Sequence, residues 1–214
     1  MRIVLKIGGS LIKYPRKLKE LCKVIGNLHE KFNIIVVPGG DGFADLVRKY
    51  YKIFNLSDEN AHWMAILGMD QYGYLLNNLI PYSKIVDDID YIDGILKNRY
   101  IPIILSYNIL KTNEILPYSW DVTSDSIALH LATIIKASKL ILIKDVDGIY
   151  DRGKILSEVD LNWLANNESC IDRYYPILAR RYNISTYVVN GLYPLRLMKI
   201  LHGEKTICTV IKTY

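Results

Sequence analysis

Short apolar, β-branched runs separated by amphipathic stretches predict an α/β fold with a largely parallel sheet covered on both faces. Three observations carry this. The runs "RIVLKI", "NIIVVP" and "KLILIK" are apolar at nearly every position, as strands buried on both faces must be. The segments between such runs repeat apolar residues at helical spacing. Glycines follow three of the predicted strands, at Gly8–Gly9, at Gly39–Gly40 with Gly42, and at Gly191. In an open parallel sheet such turns gather beyond the carboxyl ends of the strands, where ligands bind.

The elements follow in order. After the strand at 2–7, Leu18, Leu21, Cys22, Ile25 and Leu28 predict a helix over 14–32. The strand "NIIVVPGG" is stopped by Pro38 and its glycines, and a helix over 43–54 follows, with Leu46, Val47, Tyr50 and Phe54 on one face. Ser57 caps a further helix running to about residue 79. "SKIVDD" reads as a strand, 90–98 as a short helix and "YIPIILS" as a strand. "SDSIALHLATIIKAS" is a strong helix that aligns Ile127, Leu131, Ile134 and Ile135, and "KLILIKDVDGIYD" is a strand entering a turn. Helices at 160–166 and 176–182, the strand "TYVVNG", a helix over 194–201 with Pro194 in its first turn, and the strand "KTICTVIK" complete the chain. No linker, repeat or low-complexity stretch interrupts it, so one domain over 1–214 is expected.

Composition narrows the function classes. The chain is 50% apolar and 23% charged, enough for a substantial core and too apolar for disorder. The net charge is +5, without a basic block of nucleic-acid-arm length, so a nucleic-acid partner is not expected. The charge serves either to attract anionic small molecules or for ordinary solubility. No apolar stretch is long enough to span a bilayer, and no signal-peptide cleavage site follows the apolar start. Cys22, Cys170 and Cys208 are odd in number and scattered, which suits a reducing cytoplasm better than a disulfide framework or a zinc site.

Lys6 is the residue that a bland sheet does not explain. Alternation places Ile3, Leu5 and Ile7 on one face of the first strand and Val4 with Lys6 on the other. A lysine without a partner there loses its proton or destabilises the fold. A bound phosphate, a structural carboxylate, or snorkelling to the sheet edge each resolves that cost. The chain has neither the P-loop pattern nor the G-x-G-x-x-G dinucleotide fingerprint. His29, His62, His130 and His202 are isolated and read as packed or surface residues. In "DVTSDSIALH", Thr123 and Ser124 have capping composition, and Asp125 could orient Lys6 as a fixed anion.

Taken together, "KIGGS", "VVPGG", "TSDSIA" and "DVDGIY", in this order across nearly the whole chain, resemble the amino acid kinase superfamily. "PGGDGFADLVRKY", "SWDVTSDS", "KDVDGIYD" and "YVVNGLYPLRLMKIL" narrow the resemblance to archaeal kinases of methanofuran biosynthesis, whose acceptor is an aminomethylfuran phosphomonoester. The resemblance implies a three-layer α/β/α sandwich, an N-terminal part for the acceptor, a C-terminal part for ATP, Mg²⁺ bridging phosphate oxygens, and a homo-oligomer. It further implies that Lys6 neutralises the transferring phosphoryl group, held by Asp125, and that Gly8, Gly9 and Ser10 donate to ATP phosphates. Lys144, Asp145, Asp147, Gly148 and Tyr150 would lie along the nucleotide. Gly39 and Gly40 would cradle the acceptor beside Thr123 and Ser124.

For that acceptor, Arg48 is either a phosphate contact or a solvent-facing arginine. Asp41 or Asp45 meets the aminomethyl group or complements a helix N-terminus, and Trp120 contacts the furan or sits in the core. One departure stands out. Family members carry a second lysine in a G-M-x-x-K stretch, whereas this chain reads "ESCIDRYYPILARRYN", with Arg173 as the expected substitute. A glycine near the C-terminus is replaced by Cys208. Alternatives on the same fold are isopentenyl phosphate, nucleoside monophosphate or amino acid acceptors, or a non-catalytic nucleotide sensor. The isopentenyl type is disfavoured because 39–54 holds no histidine.

Overall fold

β1 (Arg2–Ile7) lies near the centre of an eight-stranded sheet in the computed structural model, which describes residues 1–113 and 115–213, with Asp41 described by its backbone alone. On one side stand β2 (Asn33–Pro38), then β4 (Ile101–Ile104), then β3 (Ser83–Val86). On the other stand β5 (Lys139–Lys144), β9 (Ser185–Asn190), β10 (Thr209–Lys212) and β8 (Glu158–Asp160). The six strands from β3 to β9 are parallel, while β10 runs antiparallel to β9 and pairs parallel with β8. β6 (Tyr150–Asp151) and β7 (Lys154–Ile155) form a separate antiparallel hairpin.

The alternation expected along β1 decides the layers. Ile3, Leu5 and Ile7 join Leu18, Leu21 and Ile25 of α1 (Pro15–Gly26) and Leu197 and Ile200 of α9 (Pro194–Leu201) in one core. Val4 faces the opposite core, with Leu131 of α6 (Ser124–Ile134) and Leu178 of α8 (Tyr175–Ala179). α3 (Asp58–Leu79) gives Ile66 and Met69 to the second core and Tyr72 and Leu76 to the first. Helices therefore cover both faces of a mostly parallel sheet, in three layers.

Local chemistry sets most ends as expected. Ser57 Oγ accepts from the Asn60 amide at the start of α3, and Pro194 opens α9. α2 (Asp41–Phe54), α4 (Ile92–Lys97) and α7 (Leu161–Asn166) match the expected segments closely. The helix expected over 14–32 stops at Gly26, because residues 27–32 fold back in turns that deliver the chain to β2. α5 (Ser106–Asn113) was not legible: its first amides, on Ser106 and Tyr107, donate to the Asp70 carboxylate of α3 at 2.6 and 3.2 Å, a cap supplied by tertiary structure. No described helix is long and apolar enough to cross a membrane.

Candidate active site

The first two glycine turns abut at the carboxyl rim of the sheet. The Gly8 amide donates to Ile143 O at 2.7 Å, and the Gly39 amide to Ile7 O at 2.8 Å. A Cβ on Gly39 would stand 2.6 Å from the Gly9 nitrogen, so only glycine lets the two backbones approach this closely. The third turn behaves differently. Gly191 is packed against Ile143, Leu11 and Leu21, and its amide donates to Lys144 O, so it serves the core and not the rim pocket.

Lys6 is only 4% exposed and Asp125 2%. The Lys6 ammonium donates to Asp125 Oδ1 at 2.8 Å, and the Lys144 ammonium donates to Asp125 Oδ2 at 2.7 Å. Strand register explains the meeting. Lys6 pairs with Leu142 of β5, so Lys144, two residues further, projects from the same face. Burial works to raise the Asp125 carboxyl, but the Lys144 and Lys6 ammonium groups overcome it and hold it down at about 2. Burial lowers the Lys6 ammonium despite the attraction of Asp125, with Lys144 adding to the lowering. For Lys144 burial also opposes the charge, but Asp125 prevails and raises it. Two cations thus share one anion, and the carboxylate stays ionised.

Asp125 is aimed by a residue that sequence reasoning missed. Asp172 Oδ2 accepts from the amides of Thr123 and Ser126 and from the Thr123 hydroxyl, and Oδ1 accepts from the Ser126 hydroxyl and the Tyr175 amide. Thr123 occupies the N-cap of α6 without capping through its own side chain, so Asp172 does the capping from outside the helix. Burial and the nearby Asp125 charge push the Asp172 carboxyl up, against these donors. The only sequence signal was the acidic neighbour of Arg173.

A cavity of about 390 Å³ opens over this cluster, lined by Lys6, Gly8, Gly9, Ser10, Gly40, Arg48, Trp120, Thr123, Ser124, Asp125, Lys144 and Asp145 among the expected residues. Asp58, His62, Cys170 and Asp172 also line it and were not expected to. The Arg48 guanidinium lies 5.0 Å from the Trp120 ring centroid and is held by Asp45 at 2.7 Å.

Several expected residues stand elsewhere. Arg173 is a correction: its guanidinium is 75% exposed, pairs with Glu168 at 3.3 Å and is not part of the cavity wall. Asp147, Gly148 and Tyr150 lie outside the wall as well. Asp147 is engaged by Asn190 and Arg196, and a Cβ on Gly148 would overlap Thr209 Oγ1, which itself accepts from the Ile149 amide and donates to Leu156 O. Tyr150 is 44% exposed. Gly39 is a neighbour of the wall through its packing on Gly9, and Asp45 is spent on Arg48 outside it. The side chain of Asp41 lies outside the described residues. His62, set aside as isolated, reaches the cavity from α3 and packs edge-on against Trp63, 5.1 Å between ring centroids.

Abutting glycine turns at a parallel-sheet rim, with two ammonium groups converging on one carboxylate, are the equipment of an enzyme that handles phosphoryl groups. Residues 1–174 match the amino acid kinase family, and the chain belongs to that family. It is a small-molecule kinase by class. It is 36% identical over 213 residues to the [5-(aminomethyl)furan-3-yl]methyl phosphate kinase of Methanocaldococcus jannaschii, covering 97% of this chain and 96% of that protein. It is 26% identical over 222 residues to the uridylate kinase of Archaeoglobus fulgidus, covering 95% of this chain and 97% of that one. The crystal structure of the Archaeoglobus uridylate kinase superposes with a TM-score of 0.76 at 24% identity, covering 99% of this chain and 100% of that one, a likeness of fold.

Proposed function

We propose that the protein transfers the γ-phosphoryl group of ATP to a small phosphomonoester, [5-(aminomethyl)furan-3-yl]methyl phosphate, giving the diphosphate. The supporting observation is the Lys6–Asp125–Lys144 cluster beneath a cavity that joins the two glycine turns. The 36% identity to a kinase named for that acceptor supports the choice of substrate.

The acceptor needs no general base, because a phosphate oxygen is already an anionic nucleophile. The barrier is the approach of two anions. Lys6 and the backbone amides around Gly8, Gly9 and Ser10 offset that repulsion, while Asp125 holds the ammonium in place. Lys144 and Asp145 lie on the nucleotide side of the cavity. Among the described residues no three metal-ligating side chains cluster. Asp145, a carboxylate in the cavity wall, would be a residue able to hold Mg²⁺ together with the phosphates and water. When bound, such an ion would supply positive charge to offset that of the phosphates.

Other lining residues suit the furan end of the acceptor. Trp120, backed by Arg48, offers a flat face for the ring. Asp58 offers a carboxylate for the aminomethyl group: its oxygen accepts from the Tyr51 hydroxyl at 2.7 Å, and no described basic side chain pairs with it. It replaces Asp45 in that role, since Asp45 is spent on Arg48. One domain, ATP and Mg²⁺ as cosubstrate and metal, and a homo-oligomer complete the reading.

The deciding experiment offers ATP–Mg²⁺ with a panel of acceptors: the aminomethylfuran phosphate, UMP, isopentenyl phosphate and N-acetylglutamate. Diphosphate formation from the furan acceptor with kcat/KM well above the others is expected. Faster turnover of another acceptor would replace the substrate, and ATP binding without any turnover would leave a sensor.

A further inference from the structure

We propose that Lys144 is a catalytic residue, whose ammonium acts with that of Lys6 on the transferring phosphoryl group and does not merely anchor the nucleotide. The inference rests on the kinase reading above and assigns a role within it.

Three features of the site lead there. The two ammonium groups are bound to the two oxygens of one carboxylate, so they stand a few ångströms apart, and an anion touching one is within reach of the other. Both line the same cavity, immediately beside Gly8 and Gly9. Neither lysine has an acidic partner other than Asp125 among the described ion pairs. Asp172 attracts both from further along the wall, but its oxygens are engaged by the Thr123, Ser126 and Tyr175 donors, so both ammonium groups remain available to an anion in the cavity. The backbone of Lys144 is also fixed: its carbonyl accepts from the Gly191 amide at 2.7 Å, and the preceding carbonyl, on Ile143, accepts from Gly8. The second cation therefore comes from the strand next to that of Lys6, on the same sheet face. Arg173, out on the surface, is not part of this pair.

In the step, an oxygen of the acceptor phosphate forms a bond to the γ-phosphorus. The bond from that phosphorus to the β-bridging oxygen breaks, and ADP leaves with the electron pair. Charge is conserved: a tetra-anion and a dianion become two trianions. As the bonds loosen, negative charge is spread over the three equatorial oxygens. Two cations fixed on one carboxylate can meet two of those oxygens without reorganising, which is where a preorganised charge counts most.

The test compares wild type with K144M and K144R, measuring kcat and the KM for ATP separately. K144M is expected to lose kcat by about 10²–10³-fold, the scale of losing a comparable transition-state donor, with ATP KM changed less than about threefold, and K144R to recover part of the loss. K6M/K144M is expected to fall well short of the product of the single losses, since the two act as a unit. A K144M enzyme with near-normal kcat, whether its ATP KM is raised or unchanged, overturns the proposal. If K144M does not fold, K144Q, which keeps an N–H for Asp125, is judged by the same outcomes. Should the wild type not phosphorylate the furan acceptor, the acceptor reading fails by itself. Lys144 is then tested on the best acceptor of the panel or on slow transfer to water, which also demand the charge pair.

Discussion

Asp172 accepts hydrogen bonds from both the amide and the hydroxyl of Ser126, and so fastens the first turn of α6 from 46 residues away. The same carboxylate takes the Thr123 amide and hydroxyl. Asp125 sits between these two anchors, and its two oxygens are thereby presented to Lys6 and Lys144. No described ion pair joins Asp172 to a lysine. Asp172 is a positioning residue.

Replacing Asp172 by alanine strips the cap from α6 and leaves half-buried amides without their acceptor. A loss of about 2–4 kcal/mol in unfolding free energy is expected from the summed cost of a lost cap and unsatisfied donors. Turnover is expected to fall in the folded fraction too, because Asp125 is no longer aimed. Urea titration with matched kinetics checks both. A variant as stable as wild type would show that the cap is dispensable.

Gly39→Ala places a methyl group 2.6 Å from the Gly9 nitrogen, and the obstacle is backbone, not a flexible side chain. The two glycine turns must separate, and kcat is expected to drop by at least tenfold while the sheet persists in circular dichroism. Gly42→Ala, where a Cβ meets nothing within 4 Å, is the control and should retain activity. Equal effects in the two variants would argue against a close-approach requirement.

Lys6 must be cationic to act, and burial lowers its ammonium from the ordinary lysine value of 10.5. As pH rises, the charge is lost earlier than for an ordinary lysine. The profile of kcat/KM should bend down on the alkaline side, below the usual lysine range. Lys144 is shifted the other way and is not the source of that limb. Lys6→Arg should move the bend upward, and Lys6→Ala should cut turnover by about 10²-fold or more. A profile that stays level into the ordinary lysine range would contradict the assignment.

Asp58→Asn should raise the KM for an acceptor that carries the aminomethyl group, by about two- to fivefold on the scale of one exposed charge contact. It should leave the KM for the des-amino analogue unchanged. If both acceptors respond alike, Asp58 does not select the ammonium.

Asp70 supplies a stability test remote from the chemistry. Burial raises its carboxyl to about 6, against the lowering by the Ser106 and Tyr107 amides. The folded state therefore holds this proton after the unfolded state, at the ordinary carboxyl value of 3.8, has released it. Its contribution to stability declines as pH rises from about 4 to about 6 and is level above. Wild type minus Asp70→Asn, measured by urea unfolding across that range, should show the slope. A flat difference would place the carboxyl nearer its ordinary value.

Much of the sheet was legible because parallel strands buried on both faces leave a continuous apolar signature, and because Ser57 and Pro194 mark helix starts locally. α5 was not, because its cap lies in α3, and β8 was not, because three residues carry no periodicity. The meeting of Lys6 with Asp125 was anticipated from motifs. The engagement of Asp147, which is not part of the cavity wall, by Arg196 was not.

By itself, the order of residues determined the alternation along β1 that buries Lys6, the glycines that let two backbones meet, and the family to which the chain belongs. Only the tertiary structure decided that Lys144 and not Arg173 stands beside Asp125, that Asp172 caps α6, and that Asp58 and His62 reach the cavity. The reason is physical. Burial periodicity and backbone conformation are local properties written in neighbouring residues, whereas a charge cluster depends on the register between strands far apart in sequence. No window along the chain contains that register.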